Sequence, residues 1–226
     1  MQLPSTLAAT PVDEVQRFLD HTVHDLRAVF RRIGMSIEIL GEGHPGDAPY
    51  AAILDGVSQG TAILTAITTY STAIVGAKYS FKPVKLNLAV DNVLAFLDAR
   101  IRDTGGEIVR EPLPELMGDE ERLRDLFLIL LSNALTYRSV HAPKVTIGAR
   151  LDSGEWVISV RDNGMGIAPK YQGDLFRPFY RLHGSEIPGV GLGLATCRKI
   201  VEAHNGRIWI ESDRGAGATF HFTLPA

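Results

Sequence analysis

From Val12 to Leu40, apolar residues at Val15, Leu19, Val23, Leu26, Phe30, Ile33, Ile37 and Leu40 recur at intervals of three and four. That spacing is one stripe along an amphipathic helix. The run at 41–49, Gly-Glu-Gly-His-Pro-Gly-Asp-Ala-Pro, is turn chemistry throughout and ends the helix. A second helical pattern, Tyr50 to Lys78, carries Ile53, Leu54, Val57, Ile63, Leu64, Ile67, Tyr70, Ile74 and Val75 at similar spacing. Two helices joined by a short turn predict an α-helical hairpin. A hairpin alone buries too little, so the long apolar stripe predicts a homodimer through residues 12–80, a dimeric four-helix bundle. Residues 1–11, with two prolines among small polar residues, read as a flexible lead-in.

After Ser80 the pattern changes, and a second domain is placed at 81–226. Phe81 to Asn87 reads as a short strand and Leu88 to Asp103 as a helix. Gly105-Gly106 introduces a strand at 107–110. A helix opens at Asp119 or Glu120 and runs through Leu123, Leu126, Phe127, Leu130, Leu131 and Leu135 to Tyr137. Val145–Arg150 and Glu155–Asp162 form a strand pair about Asp152-Ser153-Gly154. Ala195–Ala203 is helical, and Arg207–Ser212 with Ala218–Leu224 makes a final hairpin. Such an order predicts an α+β domain, helices on one face of a largely antiparallel sheet.

Composition narrows the partners. A net charge of −3 and a pI near 6.2 provide no general attraction to nucleic acid or anionic membrane. The single cysteine, Cys197, makes no intramolecular disulfide, fits a reducing compartment and reads as a small buried side chain. The most apolar stretch, Ala51 to Ala77, is broken by Asp55, Gln59 and several threonines, so no membrane segment is expected and the chain reads as cytoplasmic.

Two glycine clusters carry the chemistry. Arg161-Asp162-Asn163-Gly164-Met165-Gly166 follows an alternating strand, and its carboxylate, Asp162, suits a base amine. Gly189-Val190-Gly191-Leu192-Gly193-Leu194 runs directly into a helix, whose free N–H groups and dipole suit a phosphate. Asn133, on the preceding long helix, offers a neutral amide oxygen of the kind Mg²⁺ accepts, although a lone helical asparagine is more often a cap or surface residue. On the first helix, His24 is followed by Asp25, Arg27 and Arg31. Its ring can attack phosphorus, with Asp25 to orient the ring or take its proton and the arginines to neutralise oxygens. By position alone a helical histidine is more often a packing or surface residue, and His21 is the rival nucleophile.

The order Asn133, Asp162-x-Gly164-x-Gly166, Phe176-Arg177-Pro178-Phe179-Tyr180-Arg181, Gly189-x-Gly191-x-Gly193 and Gly215-x-Gly217-x-Thr219 closely resembles the ATP-binding domain of sensor histidine kinases. That domain has the Bergerat fold, an α/β sandwich shared with gyrase-type ATPases and Hsp90 chaperones. His24-Asp25-Leu26-Arg27 is similar to the family's phosphoacceptor box, and the last third is most similar to the phytochrome-associated branch. The resemblance implies ATP and Mg²⁺ as cofactors, Asp162 on the adenine amino group, Asn133 on the metal and the backbone of Gly189 to Leu194 at the phosphates. His24 receives the phosphoryl group and hands it to a response-regulator receiver domain. Phe176 and Phe179 pack a lid or a core. Tyr137 and Arg138 line the pocket or finish their helix, and Gly215 and Gly217 serve the site or only the turn. The sequence departs from the family at Ile129, where a second polar residue is usual, and at Thr136, where Lys or Arg is common. Ala28 replaces the Thr, Ser or Asn that many members use to position water for dephosphorylation, and Val29 replaces a common proline. A protein that keeps the bundle and His24 but has lost ATP use is the alternative.

Overall fold

The computed structural model describes residues 23, 26–27, 30–31, 33–35, 37, 48–74, 79–182 and 190–226. The lead-in, the first predicted helix up to residue 22, the sites His21, His24, Asp25, Ala28, Val29 and Gly189, and the predicted turn at 41–47 lie outside the described residues. The chain divides into two compact units, Met1–Ala77 and Lys78–Ala226.

In the first unit the described residues between 23 and 37 are helical, and helix α1 spans Ala48–Ile74. It starts two residues ahead of the expected Tyr50 because Pro49 is tolerated in a first turn, where its missing N–H costs nothing. Three approaches run in opposite directions along the two segments. Arg27 Nη2 donates to Thr68 Oγ1 at 3.4 Å. The Phe30 ring lies on the α1 backbone at Gly60, where a Cβ would stand 2.7 Å from Cζ, and Gly34 faces Val57. The pairing is therefore antiparallel. Val23, Leu64 and Ala73 are buried, while Leu26, Ile33, Met35, Ile53, Ile63 and Ile74 remain exposed. Thr61, Thr65, Thr68, Thr69 and Thr72 each donate to the carbonyl four residues back, so α1 accommodates these five hydroxyls with each one bonded.

The second unit is an α/β sandwich. Strand β1 (Lys82–Lys85) pairs antiparallel with β3 (Glu115–Gly118) in a small separate sheet. The main sheet has the order β2-β4-β5-β7-β6, from β2 (Glu107–Arg110), β4 (Lys144–Asp152), β5 (Glu155–Asp162), β6 (Ile208–Ser212) and β7 (Ala218–Pro225). Only β2·β4 is parallel. Helices α2 (Leu86–Thr104), α3 (Glu120–Thr136) and α5 (Gly193–Ala203) supply the other layer, and a single turn, α4, covers Pro169–Gln172. The core between the layers joins Leu123, Phe127, Leu130 and Leu131 of α3 to Ile147, Ile158 and Phe222 of the sheet. Phe127 and Phe222 meet edge to face at 5.8 Å.

Two elements differ from expectation. The strand predicted at Phe81–Asn87 gives way to helix at Leu86, because Leu86 N–H bonds Pro114 O and the Asn87 amide bonds both Leu113 N–H and Leu113 O. Strand β3, Glu-Leu-Met-Gly, is too short to announce itself by alternation. The β4–β5 turn is as predicted, with Ser153 and Gly154 both at positive φ, the backbone of a two-residue hairpin. Among the described residues no helix is long and apolar enough to cross a membrane.

Candidate functional site

The site is built on α3. At its C-terminal end Tyr137 closes the helix, its N–H bonding Asn133 O, and the Tyr137 carbonyl accepts from Met165 N–H at 3.0 Å. That bond ties the loop after β5 to the helix. The other side of the loop is sewn to the β6–β7 turn: Gly215 N–H donates to Met165 O at 2.7 Å and Ile167 N–H to Ser212 Oγ at 2.8 Å. Gly166 (φ +64°) backs onto the Asp213 carbonyl and Gly217 (φ +82°) onto the Asp162 carbonyl, so a Cβ at either position would run into backbone. Gly164 passes close to the Tyr137 carbonyl for the same reason.

These contacts hold one carboxylate. Asp162 ends β5, and its Oδ1 accepts from Gly164 N–H at 2.7 Å and Ala218 N–H at 3.2 Å. Oδ2 accepts no bond from the described residues. Burial raises the pKa of Asp162 above the usual carboxylate value, and the two N–H bonds oppose that rise without cancelling it. An ionised oxygen with an open acceptor position in a half-dry setting suits an N–H₂ donor.

One turn back along α3 stands Asn133, half-buried, its carboxamide without a partner among the described residues. Another turn back, Ile129 Cγ2 lies 3.1 Å from where a Gly193 Cβ would be, which brings the same face of α3 against the start of α5. There Gly191 has φ +77° and packs on the backbone of Phe179 and Tyr180. Leu192 is buried and offers no side-chain cap, and the first intrahelical bond is Thr196 N–H to Leu192 O. The N–H groups of Gly193, Leu194 and Ala195 therefore precede the helix's own acceptors. From Tyr137 to Ile129 is two turns, roughly 12 Å of helix. A carboxylate loop stands at one end and an uncapped helix start at the other.

Phe179 N–H bonds Gly191 O at 2.9 Å, and its ring is exposed, whereas Phe176 is half-buried. Arg138 is exposed beyond the helix end. Thr219 lies elsewhere: it pairs with Arg161 and Glu211, one position out of phase with the core residue Phe220, and so stands on the sheet face away from Asp162. The neighbour on the Asp162 side is Ala218, through its N–H. Strand alternation about Phe220 and Phe222 is the sequence signal that distinguishes the two positions. Among the described residues no cluster of His, Cys, Asp or Glu could hold a metal ion. The neutral Asn133 oxygen, one turn along α3 from Ile129, is of the kind that fits a hard, largely hydrated ion shared with phosphate oxygens.

An α/β sandwich carrying this carboxylate loop and uncapped helix has the groups to hold a base amine at one end and a phosphate at the other. Residues 118–226 match the family described as histidine kinase-, DNA gyrase B- and HSP90-like ATPases. Over nearly its whole length the chain is similar to histidine kinase catalytic cores, the phytochrome-like branch among them. It is 37% identical over 219 residues to Cyanobacterial phytochrome A of Nostoc sp. (strain PCC 7120), a match covering 94% of this chain and 28% of that relative's length. The chain thus spans under a third of the phytochrome it matches. Among solved structures it is similar to full-length ShkA in complex with AMPPNP, at TM-score 0.73 and 25% identity over 93% of this chain and 46% of that one. It shares the fold of histidine kinase ThkA in its complex with response regulator protein TrrA, at TM-score 0.62 and 22% identity over 95% and 61% of the two chains.

Proposed function

We propose that the chain is the kinase core of a two-component signalling protein. It binds ATP with Mg²⁺ in residues 81–226, transfers the γ-phosphoryl group to His24 and passes it on to an aspartate of a response-regulator receiver domain. The observation that carries the reading is the open Oδ2 of Asp162, held two helical turns from the uncapped start of α5. Asp162 would take the adenine amino group, with Gly164, Gly166 and Tyr137 shaping the loop around it. The N–H groups at Gly191 to Leu194, together with Gly189, would hold the phosphates, with Arg138 at the rim. Asn133 would hold the metal, whose chemistry is to neutralise the phosphate oxygens and align them for transfer.

His24 would be the nucleophile, with Asp25 orienting its ring and Arg27 on the next turn. The antiparallel hairpin and its exposed apolar side chains support a homodimer through residues 12–80, closed as a four-helix bundle. ThkA was solved with a response regulator, in keeping with that class of partner for this fold. Incubation with γ-labelled ATP and Mg²⁺ should yield acid-labile label that His24→Gln removes. Equal label in that variant would sink the assignment.

One observation favours a second reading, a histidine phosphotransfer or docking protein without productive ATP use. Ile129 presents a methyl group to Gly193 where a polar group would face the phosphates. Absence of binding heat at millimolar ATP-Mg²⁺ would select it.

A further inference from the structure

On α3, Ile129, Asn133 and Thr136 follow one another at spacings of four and three, so they share a face, the one that meets the start of α5 through Ile129 and Gly193. Thr136 is half-buried there and turns its hydroxyl back onto Ser132 O at 2.6 Å, which leaves the oxygen's lone pairs facing outward. Arg100, near the end of α2, reaches across to that oxygen, with Nη2 at 2.5 Å. Its own helix offers a carboxylate, Asp103, three residues on, yet the guanidinium crosses to the neighbouring helix. It has no carboxylate partner among the described residues. One hydroxyl uses one of five N–H donors. An exposed, uncompensated guanidinium is thus fixed beside the last turn of the helix that carries Asn133.

We propose that Arg100, anchored by Thr136, is a nucleotide-binding residue that holds the phosphate chain of ATP where it passes Asn133 on its way to α5. The proposal rests on the nucleotide-site reading above. Arg is suited to the task, since its planar fork keeps two donors parallel for a phosphate while a third stays on the threonine. It divides the work along α3: Asp162 addresses the base, Arg100 the phosphates nearest the ribose and the α5 N–H groups the terminal ones. Because the cation comes from α2, nucleotide binding also pins α2 to α3.

Calorimetry on the full chain with ATP-Mg²⁺ and, in parallel, with adenosine tests this. Arg100→Ala should weaken ATP about tenfold, as expected for a partly exposed charge-assisted contact, and leave adenosine unchanged within error. Thr136→Lys added to Arg100→Ala should recover most of the ATP affinity by supplying the charge from α3 itself. Equal ATP affinity in Arg100→Ala and wild type would overturn the proposal. So would a parallel loss for adenosine, which marks a helix-to-helix tie only. A wild type that binds neither ligand refutes the nucleotide site as a whole, and Arg100 with it.

Discussion

At Asp162 function and stability pull apart. Burial disfavours the carboxylate's charge, two N–H groups oppose that, and the net effect is a pKa raised in the folded chain. A raised carboxylate pKa means that its stabilising contribution is complete below the unfolded value of 3.8 and is lost as pH climbs through the folded value. Above the folded value the buried carboxylate therefore costs the apo protein stability. Asp162→Asn should leave the apo melting temperature equal or higher, while adenosine and ATP binding fall by at least about tenfold because an amide accepts less well than a carboxylate. A variant that melts markedly lower would refute this account. The glycines sort by their surroundings. Gly215 and Gly217 both have positive φ, but a Cβ at Gly215 meets open space and one at Gly217 meets the Asp162 carbonyl. Gly215→Ala should cost about 1 kcal/mol in urea denaturation, and Gly217→Ala roughly 3 kcal/mol together with nucleotide affinity. The sequence marks both residues alike, since a glycine declares a special backbone and not what stands against it.

At the level of elements, His204 locks the end of α5 to the start of α3. Its Nδ1–H donates to Ile200 O at 2.8 Å, and its Nε2 accepts from Asp119 N–H at 3.0 Å. Asp119 in turn caps α3 through Arg122 N–H and takes Ser80 N–H on its other oxygen, while the Tyr79 and Phe81 rings close over the imidazole. Burial depresses the His204 pKa, outweighing the opposing bond to Ile200 O and the nearby Asp119 charge. The ring's contribution is therefore complete above 6.5 and is lost as pH falls through the depressed folded value. Wild type should lose more thermal stability between about pH 7.5 and pH 5.5 than His204→Gln does. Parallel curves would remove His204 from the explanation. Helices α1, α3 and α5 were legible from periodicity, because each lays one apolar stripe on a core. Strand β3 and the start of α2 were not, because their boundaries are drawn by hydrogen bonds from residues more than 25 positions away or from a partner strand.

At the scale of the molecule, the exposed Leu26, Ile33, Ile53 and Ile63 of the hairpin unit predict self-association. The chain should sediment at twice its 24.6 kDa mass. Ile33→Glu with Ile63→Glu should shift it to monomer while nucleotide affinity stays within about twofold, since the site lies within the second unit. A doubly substituted chain that remains dimeric would exclude this face as the interface.

The order of motifs along the chain was enough to determine the class of nucleotide domain and to nominate Asp162, Asn133 and the glycines, because each reports a local backbone or chemical need. Tertiary structure alone decided which groups meet. It turned Thr219 away from Asp162 and set the Ala218 N–H in its place, it put Ile129 against Gly193, and it carried Arg100 from another helix to Thr136. Those pairings depend on strand register and on how helices pack, where one residue of shift reverses a side chain. No local pattern records that.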